Sequence, residues 1–263
     1  MELGKTTTIK LILGLQKIDK GQVIINGFNI KNQFEKAIEK VGTIVDNSSS
    51  YSYLSGYKNL KLISNLYNNI SEERIKEVVT LVGLQNRIYD KVYKYSFGMK
   101  QRLLIAEAIL HKPNILILDE PTNGLDPEGI KDLRDIIITL SKKEKMSILV
   151  SSHNLSELET FCTKICIIKN GEIIEESNME EINKEKEKDY YIVEVEDTLA
   201  VKKVISNAEI IDNKHFKIFL EDGEISDFVI KLKTLGINIC EIKKEKITLE
   251  ETFLNKVGGN KID

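Results

Sequence analysis

The chain predicts an α/β fold built on a mainly parallel sheet, and three features of the sequence carry that prediction. Two short apolar runs, "PNILILD" at 113–119 and "MSILVSS" at 146–152, read as strands with no polar face, as central parallel strands do. Stretches of helical periodicity separate such runs, and strands alternating with helices imply a parallel sheet. After a charged stretch at 178–189 the order becomes strand, helix, strand, strand, helix, strand, which suggests a small second α+β unit of ferredoxin-like type.

Taken in order, Lys5 to about Leu15 reads as a helix, ended near "GLQKIDKG". "GQVIINGFNI" is a hairpin, because Asn26-Gly27 supplies the two positive-φ residues that a tight two-residue turn needs. "QFEKAIEKVG" is a short helix and "VGTIVD" a buried strand. From 47 to about 111 the pattern is helical and polar, with Ser71 placed to cap "EERIKEVVTLVGL". Asp126-Pro127 starts another helix, with a capping carboxylate and a proline in the first turn. "ELETFC" is helical, and "KICIIKNGEIIEE" is a second hairpin, around Asn170-Gly171. The C-terminal unit reads as strands at 190–196, 208–212, 215–220 and 237–242 with helices at 198–206 and 224–235, closed by a final helix "TLEETFLNKV". This divides the chain into residues 1–177, a charged linker 178–189, and a small accessory domain 190–263.

Composition narrows the function. Lys+Arg is 38 against Asp+Glu 41, a net charge of -3, with both signs scattered rather than gathered into the basic stripe of a nucleic-acid binder. No apolar run approaches the roughly 20 residues of a membrane-spanning helix, and no secretory leader pattern opens the sequence. The three cysteines, Cys162, Cys166 and Cys240, are odd in number and lack metal-type spacing, which fits free thiols in a reducing cytoplasm.

The chemistry gathers in four places. "GKTTT" at 4–8 holds the end of a phosphate-binding loop, GxxxxGK[ST], whose first glycine would fall two residues upstream of Met1. In that motif the backbone amides cradle phosphates, the lysine reaches the β and γ oxygens and the hydroxyl binds Mg²⁺; alone, GKT is a weak signal. "NILILDEPTNGLDP" delivers Asp119 and Glu120 to the C-terminal end of a buried strand, where open α/β sheets bind ligands. Asp119 suits a metal, and Glu120 suits orienting or deprotonating an attacking water in phosphoryl transfer; the bland alternative is two solvated carboxylates closing a strand. "YSFGMKQRLLIAEAIL" puts Ser96 and Gly98 at the start of a helix, an anion site or an ordinary serine cap. "ILVSSHNLSELE" sets His153 just beyond a strand, where a lone histidine is more often a capping or surface residue.

In this order, GKTTT, YSFGMKQR, LILDEPTNGLDP and SSHNLSE resemble the ATP-binding subunits of ABC transporters, over residues 4 to about 176. The SxGMKQR phrase and "LEETFLNKVGG" are similar to the bacitracin or lantibiotic resistance type. The resemblance implies a P-loop NTPase-type sheet with a helical subdomain at about 47–111, and a head-to-tail dimer with two ATP molecules sandwiched between the copies. It implies that Gly4, Lys5, Thr6 and Thr7 bind phosphates, with Thr6, Asp46 and Asp119 serving Mg²⁺. Ser96 and Gly98 of the opposite copy would grip the same γ-phosphate. Glu120 matches the catalytic base, His153 the switch histidine and Asp126 the loop coupling the two sites. The implied protein is cytoplasmic, lies at the inner face of the membrane and drives export through a separate transmembrane permease. Runners-up are a soluble ABC ATPase and a remnant without function, the latter because a chain lacking the front of its phosphate loop is expected to bind ATP more weakly than one extended upstream.

Departures from the pattern carry expectations of their own. Asp46 stands where glutamine is usual and is expected to sense the metal; Tyr95, Phe97 and Met99 replace Leu, Gly and Gln around the retained Ser96 and Gly98. Seven of nine tyrosines (Tyr51, Tyr53, Tyr57, Tyr67, Tyr89, Tyr93 and Tyr95) fall between 51 and 95, which suggests either a contact surface or a small aromatic core. Tyr51, Tyr53 and Tyr57 are the residues expected to dock a cytoplasmic helix of the permease.

Overall fold

Strand β4 (Ile115–Asp119) is the axis of the first unit, and its burial explains the architecture around it. In the computed structural model, described for residues 4–45, 49–67, 70–186, 189–220 and 223–246, β4 lies between β3 (Val41–Ile44) and β5 (Ser147–Ser151), parallel to both. Alternate side chains of β4 serve two cores. Leu116 and Leu118 join the larger, with α3 (Gly56–Ser64), α4 (Glu72–Leu81), α5 (Phe97–Ile109) and α6 (Pro127–Lys143). Ile117 joins the smaller, with α1 (Lys5–Ile12), the hairpin β1 (Ile24–Ile25) and β2 (Phe28–Asn29), and α2 (Phe34–Ile38). A sheet with helices on both faces needs an apolar strand in its middle, which is what "ILIL" supplies.

The local signals behave as their chemistry requires. Asn26 and Gly27 have φ of 52° and 82°, and Asn170 and Gly171 repeat those values between β6 (Lys164–Lys169) and β7 (Glu172–Asn178). Ser71 Oγ accepts the Arg74 amide at 3.2 Å and Asp126 Oδ1 accepts the Gly129 amide at 2.9 Å, so both predicted caps form. Helix α1 ends at Ile12 rather than Leu15, followed by Gly14 at φ 67°, which a side chain rarely adopts. Gly42 has a packing reason instead: a Cβ there would stand 2.3 Å from the carbonyl oxygen of Ala108, so β3 and α5 approach too closely for any other residue.

Strand β5 is less buried than β4. Ile148 and Val150 pack on the larger core, but Leu149 is 44 % exposed. Among the described residues no strand pairs with the far side of β5. Apolar composition shows what a strand can bury, not whether a neighbour covers it.

The tyrosines differ in burial. Tyr95 is core, its hydroxyl donating to the Arg87 carbonyl at 2.8 Å, and Tyr67 stacks on His111 with centroids 4.4 Å apart. Tyr51, Tyr53, Tyr89 and Tyr93 are exposed, with the Tyr51 and Tyr53 rings 5.9 Å apart and the Tyr57 and Tyr89 rings 5.4 Å apart.

The chain forms two compact units, 1–161 with 168–173 and 162–167 with 174–263. In the second, β8 (Asp189–Val195), α9 (Thr198–Val204), β9 (Glu209–Ile210), β10 (His215–Phe219), α10 (Glu224–Thr234) and β11 (Ile239–Lys246) make an antiparallel sheet of order β11-β8-β10-β9. This is the ferredoxin-like arrangement expected from the element order. Val193, Val195, Phe216 and Ile218 cover Val201, Phe228 and Leu232 of its helices. The charged stretch 178–189 contains helix α8 (Met179–Lys186), anchored by buried Met179 and Ile182 one turn apart. The expected final helix at 247–256 lies outside the described residues.

Candidate functional site

β4 ends at Asp119, paired in register with Ser151 of β5, and the next residue turns sharply away. Glu120 has φ 46°, a left-handed backbone that costs a residue with a Cβ roughly 1–2 kcal/mol. Its amide donates to Ser151 Oγ at 2.9 Å, and its carbonyl accepts the Asn123 amide at 3.2 Å. The Ser151 hydroxyl in turn donates to Asp119 Oδ1 at 2.5 Å. The turn is therefore fixed from both sides, and Glu120 is aimed by the backbone rather than by its own rotamer alone.

The Glu120 carboxylate is held between two cations or donors from distant parts of the chain. Lys5 Nζ lies 2.6 Å from Oε1, and His153 Nδ1, carried just past β5, lies 2.8 Å from Oε2. Burial pushes the Glu120 carboxyl up, but the hydrogen bonds from Lys5 and His153 outweigh it and hold the group below its ordinary value of 4.5. Lys5 opens α1, which has Gly4 as its N-cap at φ 148° and no side-chain cap. The first-turn amides of α1 are thus free of intrahelical acceptors, as at any helix start, and favour an anion. A Cβ on Gly4 would come within 3.1 Å of Ile168 Cγ2, on a backbone that side chains rarely adopt.

A cavity of about 520 Å³ elsewhere in the unit, beside His111 and Arg74, contains none of these residues. The site cavity is larger, about 810 Å³, and Thr6, Asp119 and Glu120 line it together with Ser50, Lys100 and Gln101. Thr7 is exposed and does not line it. Asp46 lies outside the described residues. Ser96, Gly98 and Asp126 line a different cavity of about 420 Å³, with Leu125 and Gly129. There Ser96 caps α5, accepting the Met99 amide at 3.3 Å, and Asp126 caps α6. Thr6, Asp119 and Glu120 thus share one cavity, with Lys5 and His153 on Glu120, while Ser96, Gly98 and Asp126 share another, and Phe97 borders both.

The first group fits Mg²⁺ with a phosphate chain. With Oδ1 engaged by Ser151, Asp119 keeps a second carboxylate oxygen, and Thr6 adds a hydroxyl to the same cavity. Mg²⁺ is usually held by one or two carboxylates plus substrate phosphates rather than by an all-protein cage. Among the described residues no cluster of three or more His, Cys, Asp or Glu side chains could form such a cage.

Sequence reading missed Ser151 and the Lys5–Glu120 contact. Ser151 is the polar residue that ends the "SILVS" strand, but placing it opposite Asp119 requires the register of β4 on β5. Among the described residues no helix is long and apolar enough to cross a membrane.

Residues 3–123 match the ABC transporter family. The chain is 42 % identical over 259 residues to an uncharacterized ABC transporter ATP-binding protein, YhcH, of Bacillus subtilis (strain 168), covering 98 % of this chain and 85 % of that protein. It is 36 % identical over 274 residues to the bacitracin transport ATP-binding protein BcrA of Bacillus licheniformis, covering 98 % and 86 %. Among solved structures, cbiO1 of Clostridium perfringens, described as part of the ABC transporter complex cbiONQ, matches with 25 % identity and a TM-score of 0.62 over 69 % of this chain and 75 % of that one. With relatives 42 % and 36 % identical over 98 % of its length, the chain belongs to the ABC transporter ATP-binding family.

Proposed function

We propose that the chain hydrolyses ATP as one half of a two-site dimer and so drives a separate membrane permease from the cytoplasmic face. The observation that carries this is the separation of the site residues within one chain. Thr6, Asp119 and Glu120 line one cavity, whereas Ser96, Gly98 and Asp126 line another. A second copy turned head to tail would supply the missing group to each cavity, so nucleotide binding would close the pair and hydrolysis release it.

In this reading Lys5, Thr6 and the start of α1 take the phosphates, and Ser96 and Gly98 of the second copy reach the γ-phosphate. Glu120 accepts a proton from the attacking water or orients it, and His153 holds Glu120. Asp119 and Thr6 would hold Mg²⁺, which would neutralise charge on the phosphate oxygens. Lys5 has to leave Glu120 for the phosphates, and losing that cation makes the carboxylate a better base. Asp46 is assigned to the same metal by the sequence pattern alone. Exposed Tyr51 and Tyr53, with Tyr57, offer an aromatic surface for a cytoplasmic segment of the permease. The bacitracin transport function printed for BcrA makes export of a peptide antibiotic the class of transport to test first.

The test is the oligomeric state of purified Glu120→Gln protein. With Mg²⁺-ATP it should elute as a dimer, and without nucleotide as a monomer. A protein that binds ATP and stays monomeric rules out the shared site.

A further inference from the structure

We propose that Ser151 is a positioning residue for this phosphoryl-transfer site, setting the backbone of Glu120 and the free oxygen of Asp119 with one hydroxyl group. The inference rests on the function proposed above. Its basis is that a single oxygen takes part in two bonds of opposite sense: it accepts the Glu120 amide at 2.9 Å and donates its proton to Asp119 Oδ1 at 2.5 Å.

The parallel ladder between β4 and β5 stops at the Asp119–Ser151 pair, so the amide of Glu120 has no strand acceptor to continue onto. An amide left without a partner in this partly buried turn would favour a different backbone. The serine oxygen supplies the acceptor, and Glu120 can then hold φ 46° with its carboxylate against His153 and Lys5. Because the hydroxyl proton can point to only one oxygen, it goes to Asp119 Oδ1, and the other oxygen of that carboxylate is left for a metal or its water. Ser151 itself is 9 % exposed, touches neither Lys5 nor His153 through any hydrogen bond, and acts through its two neighbours.

The experiment uses the full chain in four forms, wild type, Ser151→Ala, Ser151→Thr and Glu120→Ala, with Glu120→Gln as a control. In nucleotide-free protein at one fixed pH, the ring resonances of His153 report whether the Glu120 carboxylate still lies against it. Ser151→Ala is expected to move those resonances in the direction that Glu120→Ala moves them, and Ser151→Thr, which keeps a hydroxyl, to leave them at the wild-type position. ATP turnover should fall roughly 10- to 100-fold in Ser151→Ala, the usual cost of losing a group that orients a metal or catalytic ligand. ATP affinity measured in EDTA should stay within about twofold, since the serine approaches no phosphate-binding group. Turnover should return in Ser151→Thr.

Wild-type turnover and wild-type His153 resonances in Ser151→Ala overturn the proposal, as does an equal loss of affinity and turnover. If Ser151→Ala does not fold, Ser151→Cys keeps the volume with a weak donor and acceptor, and the same two readouts decide. Full turnover in Glu120→Gln would sink the proposed function instead, and that outcome is read independently of the Ser151 variants.

Discussion

Lys5 and Glu120, 115 positions apart in the chain, meet with Nζ 2.6 Å from Oε1. The ammonium that would hold a phosphate is thus already paired with the carboxylate that would act on water, and a nucleotide has to compete for it. Replacing Lys5 by Met should weaken nucleotide binding by about 10- to 100-fold, the equivalent of a hydrogen bond to a charged group at 1.5–3 kcal/mol. Glu120→Gln should instead keep binding and lower hydrolysis on the order of 10²–10⁴-fold, as for loss of a general base. Equilibrium binding of a fluorescent ATP analogue, paired with single-turnover phosphate release, separates the two.

The same contact gives stability a pH dependence of definite sign. The Glu120 carboxyl is held below its ordinary value of 4.5 in the fold, because Lys5 and His153 more than offset its burial. A carboxyl depressed by folding adds stability above its unfolded pKa, and that stability is lost as pH falls through the folded value. Melting temperature should therefore drop on acidification below about pH 4.5, and less steeply in Glu120→Gln. A parallel decline in both proteins would show that the Lys5–Glu120–His153 group carries none of it.

Gly98 distinguishes a glycine needed by a ligand from one needed by the fold. A Cβ there would meet only Leu125 Cδ2, at an ordinary 3.7 Å. Gly98→Ala should then stabilise α5 by roughly 0.5–1 kcal/mol, the usual gain of alanine over glycine in a helix, while reducing nucleotide-driven dimerisation. Thermal melts and analytical ultracentrifugation with Mg²⁺-ATP check both halves.

Gly42 is the opposite case. Its Cβ would fall 2.3 Å from the Ala108 carbonyl oxygen, which a backbone atom cannot avoid by changing rotamer. Gly42→Ala should cost roughly 1–3 kcal/mol, in the range of an overpacked core, measurable as a lower urea midpoint.

Signals that act over a few residues were legible in the sequence. The Asn-Gly turns, the Ser71 and Asp126 caps and the apolar strand β4 each need only their neighbours to form. The C-terminal unit was legible too, because its element order leaves few ways to arrange four strands. Distances between remote residues were not: nothing in "GKTTT" or "LDEP" says that Lys5 reaches Glu120 and Thr7 turns outward. The role of Ser151 depends on strand register, which apolar runs do not encode. Charge misdirects as well, since the dense Lys and Glu residues of 178–189 hide the Met179 and Ile182 pair that folds α8.

Glu120 sits on a left-handed backbone that side chains rarely adopt, so the turn after β4 stores strain at the reacting carboxylate, and the Ser151 hydroxyl is one of the bonds that keep that strain from relaxing.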